Sequence, residues 1–117
     1  MTEILHITER AAWDAGRATG EYRMSTRGVT LEQEGFIHCS LPHQLRGVAE
    51  RFYADAADLV VLVVETDLLP SPVRFEPPAP GAEEYPHIYG PIPLTAVTRV
   101  ADVSRDAAGR FILPVAG

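Results

Sequence analysis

The apolar stretch LVVLVVET at residues 59–66 constrains the fold more than any other part of the sequence. Side chains alternate between the two faces of a strand, so this stretch would carry hydrocarbon on both faces, and its valines favour extended backbone. A strand of this kind needs cover on both sides. We therefore predict that residues 59–66 form a strand near the centre of a sheet.

Shorter patterns before and after this stretch predict the remaining strands. Alternating or β-branched runs, bounded by turn residues, mark their positions. Residues 77–84 are too rich in proline and glycine for regular structure and predict an exposed loop. The predicted strands are EILHI at residues 3–7, GFIHCS at 35–40, VRFE at 73–76 and AVTRVADV at 96–103, with a closing hairpin through DAAG into RFILPV at 106–115.

A first helix is expected directly after the first strand. Thr8 is placed to cap this helix, the following residues are good helix formers, and Gly16 and Gly20 supply stop signals, with the end expected near Gly16. Trp13 is expected to anchor the helix to the core. Residues 21–34 show no sustained period, so they predict a long connection that ends at the turn residue Gly35.

A second helix is predicted over residues 42–55. Ser40 is placed to cap it, and Pro42 fits the first turn, where its missing N–H costs nothing. One apolar stripe recurs at helical spacing and would face the core. The stripe consists of Leu45, Val48, Ala49, Phe52 and Ala56.

Together these elements predict an α+β fold with two helices in the N-terminal half and five or six strands, in a single domain over residues 1–117. No apolar run approaches the roughly 20 residues of a membrane helix, and no signal-peptide pattern is visible. The only cysteine, Cys39, permits no internal disulfide and is expected on a buried strand face. A cytoplasmic protein without a membrane partner is the expectation, as a monomer or weak homodimer.

The charged residues exclude several functions. Ten arginines, no lysine and sixteen carboxylates give a net charge of −6. Non-specific nucleic-acid binding needs clustered cations, so we do not expect it. Without lysine, the chain has no Schiff-base chemistry and no phosphate-loop lysine. Proton transfer near neutral pH therefore falls to histidine or to a perturbed carboxylate.

Three short segments share one pattern, a histidine followed two positions later by a hydroxyl side chain. They are residues 6–8 with His6 and Thr8, residues 38–40 with His38 and Ser40, and residues 87–89 with His87 and Tyr89. On extended backbone each pair would lie on one face. We predict that the three pairs line a single polar cleft suited to ribose and phosphate oxygens, with His6, His38 and His87 as candidate catalytic residues.

Two further features extend the predicted cleft. The first turn of the second helix, with His43 and Gln44, has free N–H groups that suit a pyrophosphate. Tyr85 and Tyr89 flank His87 and would hold a flat ring such as adenine or nicotinamide, while Gly90 allows an unusual turn.

Structural roles compete with each of these interpretations. His38 fits a half-buried strand position, Ser40 a simple helix cap, and His6 a strand-end residue bonded to backbone. The carboxylates nearest the predicted cleft in sequence are Glu76, Glu83 and Glu84, and all three fit solvated loop positions better than a role in the cleft. A three-histidine metal site remains an alternative, but no close HxH, HExxH or paired-cysteine spacing supports it, so we assign no metal ligand.

The sequence also resembles a known family. ILHIT near the start, GFIHCS before a helix, the apolar central strand, VRFE and above all YPHIYGPIPL resemble the small bacterial proteins of domain of unknown function 952, over about residues 3–100. This resemblance implies a split β-sheet similar to that of the ADP-ribosyltransferase superfamily, with a cleft in which relatives bind NAD. His6 then looks like the residue that contacts the adenosine ribose, and His38, Ser40, His87 and Tyr89 fall near the later motifs.

The sequence departs from the ADP-ribosyltransferase pattern at one position, and the resemblance does not specify the reaction. Active transferases place a glutamate in the last motif, where this chain offers His87, so transfer to protein is not implied. We expect binding of NAD or a related nucleotide, with ADP-ribosyl transfer or NAD-dependent phosphotransferase-like chemistry as the implied reaction class. A non-catalytic nucleotide sensor and a metal-dependent hydrolase are the alternatives.

Overall fold

A computed structural model describes residues 2–114 and confirms an α+β fold, with a curled antiparallel sheet and few helices. Three single turns of 3₁₀ helix connect the other elements, at Pro42–Gln44, Thr66–Leu68 and Leu94–Ala96. The helices are α1 (Arg10–Thr19), α2 (Leu31–Glu34) and α3 (Leu45–Phe52). The strands are β1 (Glu3–Glu9), β2 (Glu21–Tyr22), β3 (Met24–Thr26), β4 (Val29–Thr30), β5 (Ile37–His38), β6 (Leu59–Glu65), β7 (Val73–Glu76), β8 (Tyr85–Ile88), β9 (Ile92–Pro93), β10 (Val97–Arg105) and β11 (Phe111–Ile112).

Strand β6 lies inside the largest sheet, as its sequence predicts. The sheet has the order β1-β6-β10-β11, and all of its pairs are antiparallel. All seven residues of β6 are buried. Each fully buried valine or leucine of this strand contributes about 1.5–3 kcal/mol through removal of hydrocarbon from water.

Alternate residues of β6 pack into two separate cores. Val60, Leu62 and Val64 join one cluster with Trp13 and Tyr22. The residues between them join a second cluster, which includes the buried face of α3. The expected cover on both sides of the central strand is therefore confirmed, and so is the anchoring role of Trp13.

A second sheet brings His38 and His87 together. It has the order β5-β8-β7, and its register places His38 of β5 directly opposite His87 of β8. The backbones of Leu5 and Ser40 exchange two hydrogen bonds of 2.9 and 2.7 Å, which join this sheet to β1. Two pairs of short strands, β2 with β9 and β3 with β4, complete the pairing.

The predicted limits of the first helix were wrong. Thr8 still belongs to β1, and its hydroxyl lies 2.7 Å from the Tyr22 hydroxyl instead of capping a helix. The helix runs to Thr19 and ends at Gly20, whose φ of 94° suits glycine. Gly16 lies within the helix, where a Cβ would come within 3.1–3.3 Å of Tyr22. Gly16 therefore permits close packing and does not stop the helix.

The connection predicted over residues 21–34 contains regular structure. It holds three strands of two or three residues and the short helix α2, which Thr30 caps through the Gln33 N–H. Strands this short cannot show a period in the sequence, which explains the wrong prediction. Gly35 ends the segment in the left-handed region, as expected.

The second helix begins later than predicted and ends earlier. Pro42 opens a 3₁₀ turn, as its fixed φ suggests, and the α-helix covers only Leu45–Phe52. Ser40 is not its cap, because the Ser40 backbone pairs with β1. The Gln44 side chain instead accepts a hydrogen bond from the Leu41 N–H at 2.9 Å.

The later part of the chain follows the predictions closely. Strand β7 occupies residues 73–76 as predicted, residues 77–84 contain no helix or strand, and β10 pairs with β11 in a closing hairpin. Val115 of the predicted hairpin lies outside the described residues. Among residues 2–114 the structure has more strands than the predicted five or six, and five of them contain only two residues. Within the same range, every helix is too short or too polar to cross a membrane.

Candidate functional site

A cavity of about 610 Å³ opens beside the paired strands β5 and β8. Four aromatic side chains and five ionisable ones line it, together with Pro77 and Pro78 from the loop after β7. The aromatic residues are Phe36, Phe52, Tyr85 and Tyr89, and the ionisable residues are Glu34, His38, Arg51, Glu76 and His87. The cavity thus combines apolar rings with a few polar groups, as small-molecule sites do.

The two histidines lie among aromatic rings. Phe36 stacks on His87 with ring centroids 3.9 Å apart and an angle of 17° between the planes. His38 lies 5.5 Å from His87 and 5.2 Å from Tyr85, measured between centroids. These contacts hold both imidazoles in fixed orientations, because each ring has neighbours on the strand beside it.

A carboxylate orients His87. The Nδ1–H of His87 donates to Glu76 Oε1 at 2.9 Å, and the Tyr89 hydroxyl donates to the same oxygen at 2.5 Å. These two bonds, that of Tyr89 first, lower the pKa of Glu76. The bond to Glu76 in turn raises the pKa of Tyr89. Since the ionised carboxylate only accepts, His87 carries a proton on Nδ1, and Nε2 is an acceptor whenever the ring is neutral.

His38 is neutral at pH 7 and lacks a partner. Burial, followed by the charges of His87 and Arg51, lowers its pKa to about 4. Its Nε2 is buried and forms no hydrogen bond within residues 2–114. A buried polar atom left in this state costs about 1–3 kcal/mol, so a ligand that bonds to Nε2 gains that amount.

His6 lies behind the cavity and not in it. It is 2% exposed, and burial lowers its pKa to about 4. Its Nδ1–H donates to the His38 carbonyl at 2.7 Å, and its Nε2 lies 2.8 Å from the Tyr22 hydroxyl. The predicted cleft of three histidines is therefore corrected: the structure brings His38 and His87 together, and His6 supports the backbone of His38 from the core.

Of the other residues predicted to bind a ligand, some line the cavity and some do not. Tyr85 and Tyr89 line the cavity, as expected. Thr8, Ser40 and Gln44 are at most 4% exposed and do not line it. Because the Gln44 carboxamide donates to the Glu84 carbonyl at 2.7 Å, its polar groups are used within the protein. The pyrophosphate site expected at the start of the second helix is therefore not part of this cavity.

Sequence reasoning assigned no binding role to several residues of the cavity. Phe36 stands two positions before His38 in the predicted strand GFIHCS, so alternation over that stretch could have identified it, although β5 itself covers only Ile37–His38. Arg51 and Phe52 lie at the C-terminal end of α3, and Glu34 at the end of α2. No spacing relates these three residues to the histidines, because only the tertiary fold brings them together.

The loop over residues 77–84 is attached at its far end. His43 Nε2 and Glu83 Oε2 are 2.5 Å apart, and this contact lowers the pKa of Glu83. The bond from Gln44 to the Glu84 carbonyl is the second attachment. Pro77 and Pro78 at the near end line the cavity, so the attachment fixes one of its walls.

The geometry of the described residues supports neither metal ligation nor thiol chemistry. No group of three or more histidine, cysteine, aspartate or glutamate residues between positions 2 and 114 is arranged to hold a metal ion. Cys39 is 1% exposed, and burial raises the pKa of its thiol. A buried thiol of this kind is a poor nucleophile.

Comparison with known proteins adds a family and a fold. Residues 7–100 match the family model described as "Protein of unknown function (DUF952)". The crystal structure of protein CC0527 from Caulobacter crescentus is 35% identical, with a TM-score of 0.80 over 95% of this chain and 94% of that chain. Its solution NMR structure is 36% identical, with a TM-score of 0.75 over 94% and 91% of the two chains. No functionally curated protein matches the sequence.

Proposed function

The chain belongs to the DUF952 family, and we propose that its cavity binds a nucleotide of the NAD or ADP-ribose type. The observation that carries this proposal is the aromatic cavity in which the His87–Glu76 pair lies beside an unpartnered His38 Nε2. Such a site offers apolar stacking for a flat base and hydrogen bonds for sugar or phosphate oxygens.

The size and lining of the cavity suit a ligand of this class. Its volume of about 610 Å³ falls within the roughly 300–1,000 Å³ typical of small-molecule sites. Phe36 already stacks on His87, and Tyr85 and Tyr89 supply further rings. A nucleobase or nicotinamide ring would replace water against these surfaces, while the ribose hydroxyls would donate to Glu76 or to His87 Nε2.

ADP-ribosyl transfer is the reaction class that we propose. Bound NAD would supply the ADP-ribosyl group of such a reaction. Glu76 fixes the ring of His87, and His87 Nε2 is free to accept a proton from an attacking hydroxyl. Glu76 also gives the cavity a carboxylate, which can hydrogen-bond to a ribose hydroxyl.

A sensor without turnover is the second candidate. The observation that favours it is the Tyr89 hydroxyl, which donates to the same Glu76 oxygen as His87 and so commits one of the two carboxylate oxygens to contacts within the protein. In a sensor this network would fix the shape of the cavity and transfer no proton. A cytoplasmic setting fits both candidates, because NAD compounds occur there and a lone thiol stays reduced.

A thermal-shift panel with NAD, ADP-ribose, AMP and nicotinamide tests the binding proposal. A ligand at 100 times its dissociation constant stabilises the protein by about 2.7 kcal/mol. We expect at least one nucleotide of the panel to raise the melting temperature. The exposed variant R17Q serves as the control, because within residues 2–114 Arg17 pairs only with Asp14 on α1. If no nucleotide changes the melting temperature, the proposed function is wrong.

Substitution of His87 then separates the enzyme from the sensor. In an enzyme, H87A lowers the rate of nicotinamide release from NAD by about 100-fold or more and changes nucleotide affinity far less. The conservative variant E76Q, which keeps a hydrogen-bond acceptor for His87, retains more activity than H87A. In a sensor there is no nicotinamide release to lose, and both variants change affinity alone.

A further inference from the structure

We propose that Arg51 and His38 form a phosphate subsite on the cavity wall made by α3 and β5, so that the protein selects phosphorylated nucleotides over nucleosides. This inference rests on the nucleotide function proposed above, and it adds the orientation of the ligand. Phosphate is assigned to the wall of Arg51 and His38, and the sugar and ring to the wall of Glu76 and Tyr89.

Arg51 is a cation without an anionic partner. It lies at the C-terminal end of α3, with its guanidinium carbon 5.8 Å from the Phe52 ring centroid, and within residues 2–114 it forms no ion pair. Five of the ten arginines of this acidic chain do have such partners within residues 2–114. Carboxylates lie within 4.0 Å of Arg10, Arg17, Arg23, Arg27 and Arg46.

Arg51 is also the only arginine among the described residues that line the cavity. An unpaired guanidinium beside a cavity presents several N–H donors in a planar fork, which matches the oxygens of a phosphate.

His38 supplies the second donor. Its ring lines the same cavity, and its buried Nε2 has no partner in the described part of the chain. The charge of Arg51 acts on His38 and contributes to its low pKa, which places the two groups within electrostatic reach of each other. A neutral His38 that carries its proton on Nε2 donates to a phosphate oxygen without a further charge.

The opposite wall disfavours phosphate. Glu76 lies on β7, across β8 from His38, and Tyr89 and His87 hold it ionised. Negative charge there repels a phosphate group and attracts hydroxyl or amino groups. This separation of His38 from Glu76 gives a phosphorylated nucleoside a preferred orientation.

Calorimetric titration of AMP and adenosine tests the subsite. We expect AMP to bind wild-type protein at least ten-fold more tightly than adenosine does. In R51Q this ratio should fall to about two-fold or less while adenosine affinity stays unchanged. The matched control R17Q makes the same change in net charge on α1 and should keep the ratio. Equal affinities in the wild type, or an unchanged ratio in R51Q, would overturn the subsite.

Inorganic pyrophosphate separates this inference from the nucleotide function. We expect pyrophosphate alone to shift the NMR signals of the Arg51 side chain and the His38 ring in the wild-type protein. In R51Q, pyrophosphate should shift neither the His38 ring signals nor the signals of helix α3. If pyrophosphate causes these shifts but no nucleoside binds, the phosphate subsite is supported and the nucleotide function is rejected. Adenosine binding without a phosphate preference rejects the subsite alone. If neither probe binds, both are rejected.

Discussion

The four histidines of this chain lie in four different surroundings. His6 is sealed in the core, His38 is half-buried beside the cavity, His87 is bonded to a carboxylate, and His43 meets Glu83 at the surface. The sequence pattern of a histidine followed by a hydroxyl side chain is the same for His6, His38 and His87 and does not distinguish their surroundings. Burial and partners, which only the fold supplies, assign their separate roles.

The first prediction concerns the pH dependence of stability through His6. Its pKa is about 4 in the folded protein and about 6.5 in the unfolded chain. The unfolded chain therefore binds a proton that the folded protein does not, and stability falls as the pH drops from 6.5 toward 4. Above pH 6.5 this contribution is fully present.

Urea unfolding of the wild type and H6Q at pH 7 and pH 5 measures this contribution. Glutamine keeps polar groups at this site but cannot titrate. We expect wild-type protein to lose about 2 kcal/mol more stability between the two pH values than H6Q loses. His38 titrates in both proteins, so its contribution to the pH dependence of stability cancels in the comparison. Equal losses would show that His6 does not remain neutral in the core.

The second prediction concerns Gly90, which follows the cavity residue Tyr89. Its φ is not positive, so a left-handed backbone does not explain the glycine at this position. A Cβ on Gly90 would lie 2.6 Å from the Ser71 Cβ. G90A should destabilise the protein by about 1–3 kcal/mol because two segments must separate.

A double variant tests that explanation. Replacing Ser71 by glycine removes the atoms that a Cβ at residue 90 would meet, so S71G/G90A should be more stable than the sum of the two single changes predicts. The measurement is urea unfolding of all four proteins. Strict additivity would mean that Gly90 is required for another reason.

At the scale of elements, the long strands were predictable and the short ones were not. The apolar run of β6 and the alternation of β7 specify their own positions, because the side chains of each strand must meet a core or solvent. Thr8 and Ser40 have the chemistry of helix caps, yet both belong to backbone pairs between strands. Tertiary pairing overrides a local capping preference in both places.

The third prediction concerns the loop over residues 77–84. The contact between His43 and Glu83 holds this loop at the far end from the cavity. H43A and E83Q should speed hydrogen exchange of the loop amides, whereas overall stability should change by less than about 1 kcal/mol, as for other surface ion pairs.

The neighbouring variant E84Q is the matched control for the loop. It removes one charge from the same loop but leaves the backbone carbonyl that accepts the bond from Gln44. Its exchange rates should equal those of the wild type. If H43A, E83Q and E84Q all exchange at the wild-type rate, the side-chain contact does not hold the loop.

For the whole molecule, the sequence predicts the α+β class, and it includes His38 and His87 among the three histidines of one predicted cleft. His38 stands on a predicted strand, whereas no strand was predicted over the residues of β8 that hold His87. The register that places them opposite each other does not follow, since β5 has only two residues. The contribution of Arg51 from α3 also depends on packing that no local pattern encodes.

The central claim is that the cavity beside His38 and His87 binds a nucleotide, and titration of the histidine ring signals by NMR with ADP-ribose tests it most directly. The surface residue His43 is an internal control within the same spectrum. We predict that the His38 and His87 signals shift together along one saturating curve while the His43 signal stays in place. Unchanged signals for His38 and His87 at millimolar ADP-ribose, or a shift of His43 alone, would contradict the claim.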